Sequence, residues 1–258
     1  MVSAEGGGSR RQIDLNADVG ESFGRWTMGD DERLIPLVSS VNIACGAHAG
    51  DPATMARTVA LAVAHGVAIG AHPGYPDLAG FGRREIHMSA ADLEASLIAQ
   101  IGALEAIARS QGAALRHVKP HGALYNRAAR DAILAATIAG AIVRLDRRLV
   151  LVGLAGSALL AAGRAAGLDV RAEGFADRAY EPDGTLRDRR RDGAVLEPAA
   201  AGAQAVTIAR DGRAAADGAA VAIAAETICV HGDAPAAVAT ATAVRAALAE
   251  AGIDVRAP

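Results

Sequence analysis

The sequence predicts an α/β fold whose parallel sheet is closed, or nearly closed, into a barrel. Strand-like apolar runs alternate with helical, Ala-rich stretches about seven times along the chain, an order that calls for parallel pairing. Several runs, Leu149 to Leu154 above all, are continuously apolar rather than alternating. The length, 258 residues, is that of many single α/β barrels. An open doubly wound sheet is the alternative, although no GxGxxG follows the first strand and no GxxxxGK[ST] occurs anywhere.

The elements follow in order. Gln12 to Val19 is the first strand, with Asp14, Asn16 and Asp18 on one face, and Gly20, Glu21 and Ser22 form a polar turn after it. A short helix over Leu34 to Val38 precedes a strand at Ser40 to Ala44. Asp51-Pro52 reads as an N-cap with proline at the first helical position, and Gly66 stops that helix after His65. Val67 to Ala71 is the third strand, entering His72-Pro73-Gly74 and a long loop through Phe81, Arg83 and Arg84. Ser89 with Asp92 makes a capping box for a helix reaching Ser110. After the strand at His117 come a helix over Ala128 to Val143, a strand at Leu149 to Leu154, a helix over Ala158 to Ala166 and a strand at Asp169 to Glu173. Glu181 to Gly193 reads as a loop or lid, and Ala199 to Ile208 as a helix. Asp211-Gly212 and Asp217-Gly218 read as turns. A strand at Glu226 to Val230 and a helix over Ala236 to Ala251 close the chain.

Composition excludes several classes. The formal charge is −3, which gives no nucleic-acid footprint, and the arginines of Arg187 to Arg191 are interrupted by Asp188, as in a solvated loop. No apolar run has membrane-spanning length. Residues 1–11 read as a disordered leader without the apolar core of a secretory signal, leaving residues 12–258 as one barrel domain. Cys45 and Cys229 form no CxxC pair, and a reducing cytoplasm is the expected compartment.

The chemistry gathers where predicted strands end. In Leu115-Arg-His-Val-Lys-Pro-His-Gly-Ala-Leu-Tyr-Asn126, period-2 alternation puts His117, Lys119 and His121 on one face, with Pro120 and Gly122 stopping the strand. Such groups are costly to bury unless they serve a site. Barrel and open α/β sites lie at strand C-terminal ends.

The segments DLNADVGESFG, VNIACGAHAGDP, AIGAHPGYPDLAGFGRR, HVKPHGALYN, EGFADRAY and CVHGD, from Asp14 to Asp233, together resemble the LamB/YcsF family, whose members serve as the A subunit of a bacterial ATP-dependent 5-oxoprolinase. The resemblance implies a distorted, seven-stranded (β/α) barrel of the glycoside hydrolase/deacetylase type. It also implies opening of the lactam of 5-oxo-L-proline to L-glutamate, coupled to ATP use by a complex with subunits B and C.

A lactam is an unreactive amide, so its hydrolysis needs an activated water, charge stabilisation at the carbonyl oxygen and a proton for the leaving nitrogen. Asp14, Asp18 and Glu173 are candidate bases. Lys119 is the electrostatic partner for an oxyanion or phosphoryl group, and His121, His72 and His231 are proton carriers. Asn16 and Asn42 are placed to orient the amide, with His48, Asp177 and Arg178 as further substrate contacts.

Each has a blander reading. Asp14 and Asp18 as backbone caps, Glu173 and Asp177 as partners of Arg178, His65 as a helix-dipole partner, His87 as a solvated side chain and Cys45 as a packing residue are all compatible with the sequence. Tyr75, Phe81, Phe175 and Tyr180 line a pocket or only pin loops. Two other functional classes stand beside the first: a metal-dependent deacetylase or hydrolase using Asp18, His48 and His72 as ligands, as related barrels do, and a non-catalytic subunit that delivers 5-oxoproline to its partners.

Overall fold

A computed structural model describes residues 11–257; the expected leader lies, apart from Arg11, outside the described residues. Six strands, β1 (Gln12–Val19), β2 (Ser40–Ala44), β3 (Ala68–His72), β4 (Leu115–Val118), β5 (Val150–Leu154) and β6 (Val170–Phe175), pair in sequence order, all parallel. A two-stranded antiparallel hairpin, β7 (Arg213–Ala216) and β8 (Ala219–Ala222), stands apart from them. Then β9 (Thr227–His231) pairs in parallel with both β6 and β1 and closes a seven-stranded barrel. A two-residue strand, β10 (Asp254–Val255), adds to the outer edge of β1 at its start.

The helices are α1 (Asp31–Leu34), α2 (Pro52–Ala64), α3 (Ala90–Ser110), α4 (Gly122–Ala128), α5 (Ala132–Leu145), α6 (Ala158–Ala165), α7 (Pro198–Asp211) and α8 (Ala237–Glu250). Their start signals act as expected. Asp51 accepts from the Ala53 and Thr54 amides ahead of Pro52, and Ser89 accepts from the Asp92 amide. None of the helices among the described residues is long and apolar enough to cross a membrane.

Local differences from the sequence reading have identifiable causes. The helix expected over Ala128 to Val143 starts later, at Ala132, because Asp131 caps the Ile133 and Leu134 amides, and a separate short helix, α4, ends at Ala128. Pro36 turns the short helix after Leu34 into a 3₁₀ turn over Ile35–Leu37. Strand β4 ends at Val118, two residues short of Pro120. The two expected Asp-Gly turns flank a strand, and the second is the tip of the hairpin.

The barrel has two interiors of opposite character. Outward-facing residues of β1, namely Leu15, Ala17 and Val19, join the apolar core between strands and helices. The alternate residues Asp14, Asn16 and Asp18 are equally buried inside the ring, with Asn42, His117, Lys119, Glu173 and Thr227 from the neighbouring strands. Barrel interiors are ordinarily filled by branched apolar side chains. Here the ring encloses a polar network, which is the principal sign that it carries a site. Gly70 on β3 makes room for it: a Cβ there would overlap the imidazole ring of His117.

Candidate active site

Lys119 follows β4 directly, and its ammonium sits on the barrel axis side of the ring. Its three N–H groups are shared among Glu173 Oε1 at 2.8 Å, Asp18 Oδ1 at 2.9 Å, Cys229 Sγ at 3.0 Å and Asn16 Oδ1 at 3.3 Å. The Phe175 ring lies 5.4 Å away. The carboxylates have further partners: Asn16 Nδ2 and Tyr125 OH donate to Glu173 at 3.0 and 2.7 Å, and Asn42 Nδ2 donates to Asp18 at 2.8 Å. A buried ion pair is tolerable only when its remaining donors and acceptors are satisfied in this way. Burial alone would favour the neutral lysine, but the Asp18 and Glu173 carboxylates hold Lys119 well above the ordinary lysine range. Burial also opposes ionisation of Asp18, yet His72 and Lys119 outweigh it and keep its pKa well below the usual carboxylate range. The Cys229 thiol is pushed well up, first by burial and then by Asp18, and stays protonated.

The second group lies where β1 to β4 end. His72 Nδ1 donates to the Lys119 carbonyl at 2.7 Å, and His121 Nε2 donates to the Phe81 carbonyl at 2.8 Å. Carbonyls only accept, so both tautomers are set. The remaining nitrogens, His72 Nε2 and His121 Nδ1, face each other at 3.0 Å. Two lone pairs repel at that distance unless a proton or a cation lies between them. Glu21 Oε1 is 3.7 Å from His121 Nδ1, and Asp18 Oδ2 is 3.4 Å from His72 Nε2. His48 stacks on His121 with ring centroids 3.8 Å apart, and neither of its buried ring nitrogens has a hydrogen-bond partner among the described residues. Burial pushes His48 and His121 well below the ordinary histidine value and Glu21 well above the usual carboxyl value.

One ligand atom from each of Glu21, His48, His72 and His121 lies within 4.8 Å of all the others. This donor set fits a divalent cation. It keeps two of the three ligands expected from the sequence, with Glu21 and His121 in place of Asp18, whose Oδ1 accepts from Lys119 and Asn42 while its Oδ2 faces His72 Nε2 at 3.4 Å.

The third feature is an Asp–His pair across β6 and β9. Asp177 accepts from His231 Nδ1 at 3.0 Å and from the His231 amide at 3.1 Å. This sets the tautomer and leaves Nε2 as the acceptor. One His231 atom, an Asp18 oxygen and Cys229 Sγ lie within 4.8 Å of one another. Burial would raise Asp177, but the facing His231 and its hydrogen bonds bring it below the usual range.

The other expected site residues divide. Asp14 is inside the ring but accepts from the Ser39, Ser40 and Thr227 hydroxyls, and burial raises its pKa. Arg178 pairs with neither Glu173 nor Asp177, so that reading is corrected. It donates to the Ala194 and Arg187 carbonyls and ties the 181–193 loop to the barrel. In that loop Arg187 pairs with Glu181 and Asp217, and Arg189 with Asp233, so these arginines brace the loop where a solvated run was expected. Cys45 is a packing residue, its thiol pushed up to about 12 by burial. Cys229, Tyr125, Thr227 and Glu21 were missed as site residues. Cys229 and Thr227 alternate with His231 on β9, and that period was the available signal.

Fold and site together define a seven-stranded parallel α/β barrel built around a buried lysine held between two carboxylates. The chain belongs to the LamB/YcsF family, whose model matches residues 13–258. It is 58% identical to the 5-oxoprolinase A subunit of Chloroflexus aggregans over 95% of this chain and 98% of that one. It is 55% identical to the corresponding protein of Methylococcus capsulatus over 96% of each. Among solved structures it is similar to a lactam utilization protein from Thermus thermophilus, with TM-score 0.91 and 47% identity, covering 96% of this chain and all of that one. A putative cellobiose-phosphate cleavage protein from Enterococcus faecalis shares the fold alone, with TM-score 0.54 and 14% identity.

Proposed function

We propose that this chain is the ring-opening subunit of a multi-subunit 5-oxoprolinase, converting 5-oxo-L-proline to L-glutamate while partner subunits B and C use ATP to activate the lactam. The relatives' names support the reaction, and the observation that carries the chemistry is Lys119 held at 2.8–2.9 Å from both Glu173 and Asp18. Phosphorylation of the lactam oxygen by a partner makes the ring carbon electrophilic. Water adds there, His231 Nε2 taking its proton while Asp177 stabilises the resulting imidazolium. The electron pair displaced from the ring C=N bond goes to the nitrogen, and the Lys119 ammonium stabilises the negative charge of the phosphoryl group. The C–N bond then breaks and the nitrogen takes the proton. The acyl phosphate so formed takes up a second water to give glutamate and phosphate. Asn16 and Asn42 lie beside the lysine with both amides already held, so they orient the site without reorganising. The test is glutamate formation from 5-oxoproline and ATP by this chain with and without B and C. Turnover only in the full complex is expected, and a complex that hydrolyses ATP without making glutamate refutes the reading.

A second reading, a metal-dependent hydrolase, is favoured by one observation, the two ring nitrogens of buried His48 that have no partner among the described residues. Glu21, His48, His72 and His121 would hold the ion, which when bound supplies Lewis-acid polarisation of a carbonyl. Metal analysis of protein purified without added metal separates the readings.

A further inference from the structure

The barrel is also open at the end where its strands begin. A cavity of about 170 Å³ lies there, with Arg116, Arg148 and Arg171 at its rim and Asn16, Asn42 and His117 at its floor. One water needs only roughly 10–15 Å³ of such space, so the cavity holds a small organic molecule.

Two features of this cavity point to the kind of molecule. The first is charge. Arg148 is paired with Asp146, and Arg171 reaches Glu226 only at 3.6 Å, while Arg116 is exposed and has no ion pair among the described residues. Only Arg116 therefore brings unspent positive charge to the rim, while the Asp14 carboxyl that also lines the cavity is held by the Ser39, Ser40 and Thr227 hydroxyls. The second is an orphan acceptor. Asn42 Nδ2 donates to Asn16 Oδ1 and Asp18 Oδ1, which sets the Asn42 amide with Oδ1 toward His117. His117 Nε2 lies 2.7 Å from that oxygen and must be the donor. Burial brings the His117 pKa down to about 3, so the ring is neutral and its Nδ1 is a bare lone pair. Nδ1 has no hydrogen-bond partner among the described residues, and its ring lines the cavity although only 3% of His117 is exposed.

We propose that this end of the barrel binds a small carboxylate bearing an N–H group, with the guanidinium of Arg116 on the carboxylate and His117 Nδ1 accepting from the N–H. A lactam acid and the amino acid formed by opening it share that chemistry, so the proposal rests on the function above for its two candidate ligands. The floor residue Asn16 is 3.3 Å from Lys119 Nζ, which places the cavity one side chain from the buried ammonium. The cavity lies at the strand N-terminal side, opposite to the usual barrel site.

The experiment is calorimetric binding of 5-oxo-L-proline and, separately, L-glutamate to the full chain at neutral pH. Wild type is compared with Arg116→Glu and with Ala68→Phe, which fills the cavity wall on β3. Loss of one charge-assisted contact predicts binding about ten- to a hundredfold weaker in Arg116→Glu with an unchanged melting temperature. Ala68→Phe should abolish binding. An N-methylated 5-oxoproline should bind wild type about tenfold more weakly than the parent, as loss of one hydrogen bond predicts. The arm that binds tighter identifies the site as one for substrate or for product. Binding of both acids untouched by both substitutions overturns the inference, as does no binding at millimolar concentration. If the complex makes glutamate with a KM indifferent to Arg116→Glu, the inference falls and the function stands. If binding depends on Arg116 but no glutamate is ever formed, the function falls and the site remains.

Discussion

Lys119 and Asp18 meet at 2.9 Å with side chains only 2% and 7% exposed, and Glu173 completes the contact from the far side of the ring. The pair is both an electrostatic device and a structural liability, since removing one member leaves the other charge buried. Lys119→Met should lower glutamate formation by the reconstituted complex by about 100- to 1000-fold. It should also destabilise the fold by about 3–5 kcal/mol. Adding Glu173→Gln removes one of the two stranded charges and leaves Asp18 beside His72, so the double variant should recover part of the melting temperature and none of the rate. Recovery of rate together with stability would show that Lys119 only neutralises the carboxylates.

Asp177 and His231 form a base with its orienting carboxylate, and the pair is separable from the lysine. Asp177→Asn keeps the shape and removes the charge, and should cost about 10²–10⁴ in kcat. The loss should appear in kcat more than in KM, because the imidazolium is stabilised only after proton transfer. A pH–rate profile that keeps its acid limb and height in Asp177→Asn would remove His231 from the mechanism.

The buried histidines make stability depend on pH. His117 has an ordinary value of 6.5 and a folded value of about 3, so between these the unfolded chain binds the extra proton. Stability from this group is therefore full above pH 6.5 and is lost as the pH falls toward 3. The loss is about 1.4 kcal/mol per pH unit. Glu21 and Asp14, both raised by burial, act in the opposite sense above the ordinary carboxyl values, so the comparison must be differential. Urea titrations of wild type and His117→Gln at pH 7 and pH 5 should diverge, wild type losing roughly 2 kcal/mol more on acidification. Parallel losses would mean that His117 is not buried neutral.

If a cation binds Glu21, His48, His72 and His121, zinc at about a hundred times its Kd should stabilise metal-stripped protein by about 2.7 kcal/mol. His48→Phe preserves the stack on His121 and removes the donor, so it should abolish the effect. A zinc-dependent rise in melting temperature that survives His48→Phe would place the ion elsewhere.

Gly70 is required by contact rather than by backbone conformation. In Gly70→Ala the new methyl would overlap the His117 ring and push it off Asn42. The expected cost is about 1–3 kcal/mol. A fully stable Gly70→Ala would show that the ring has space the structure does not reveal.

The strands and their inward faces can be read locally, because period-2 alternation is a property of neighbouring residues. Strand β2 is expected over Ser40 to Ala44 and is found there, and Asp14, Asn16, Asp18 and Lys119 point into the ring as their spacing requires. The Arg213–Ala222 hairpin is not readable in this way. Its Ala-rich strands carry little hydrophobic alternation to read, and only β7 alternates exposed and buried positions in the structure.

The alternation of strands and helices, the family motifs and the polar residues at the strand ends are local properties of the chain. Which of those residues meet is a long-range property of the closed ring. Asp177 takes His231 from 54 residues away and leaves Arg178 to the loop carbonyls, while Glu173 takes Lys119. Three strand starts far apart in the chain bring Arg116, Arg148 and Arg171 to one rim. Local patterns report which face a side chain is on, but partners and cavities appear only when β9 pairs with β1 and the ring closes.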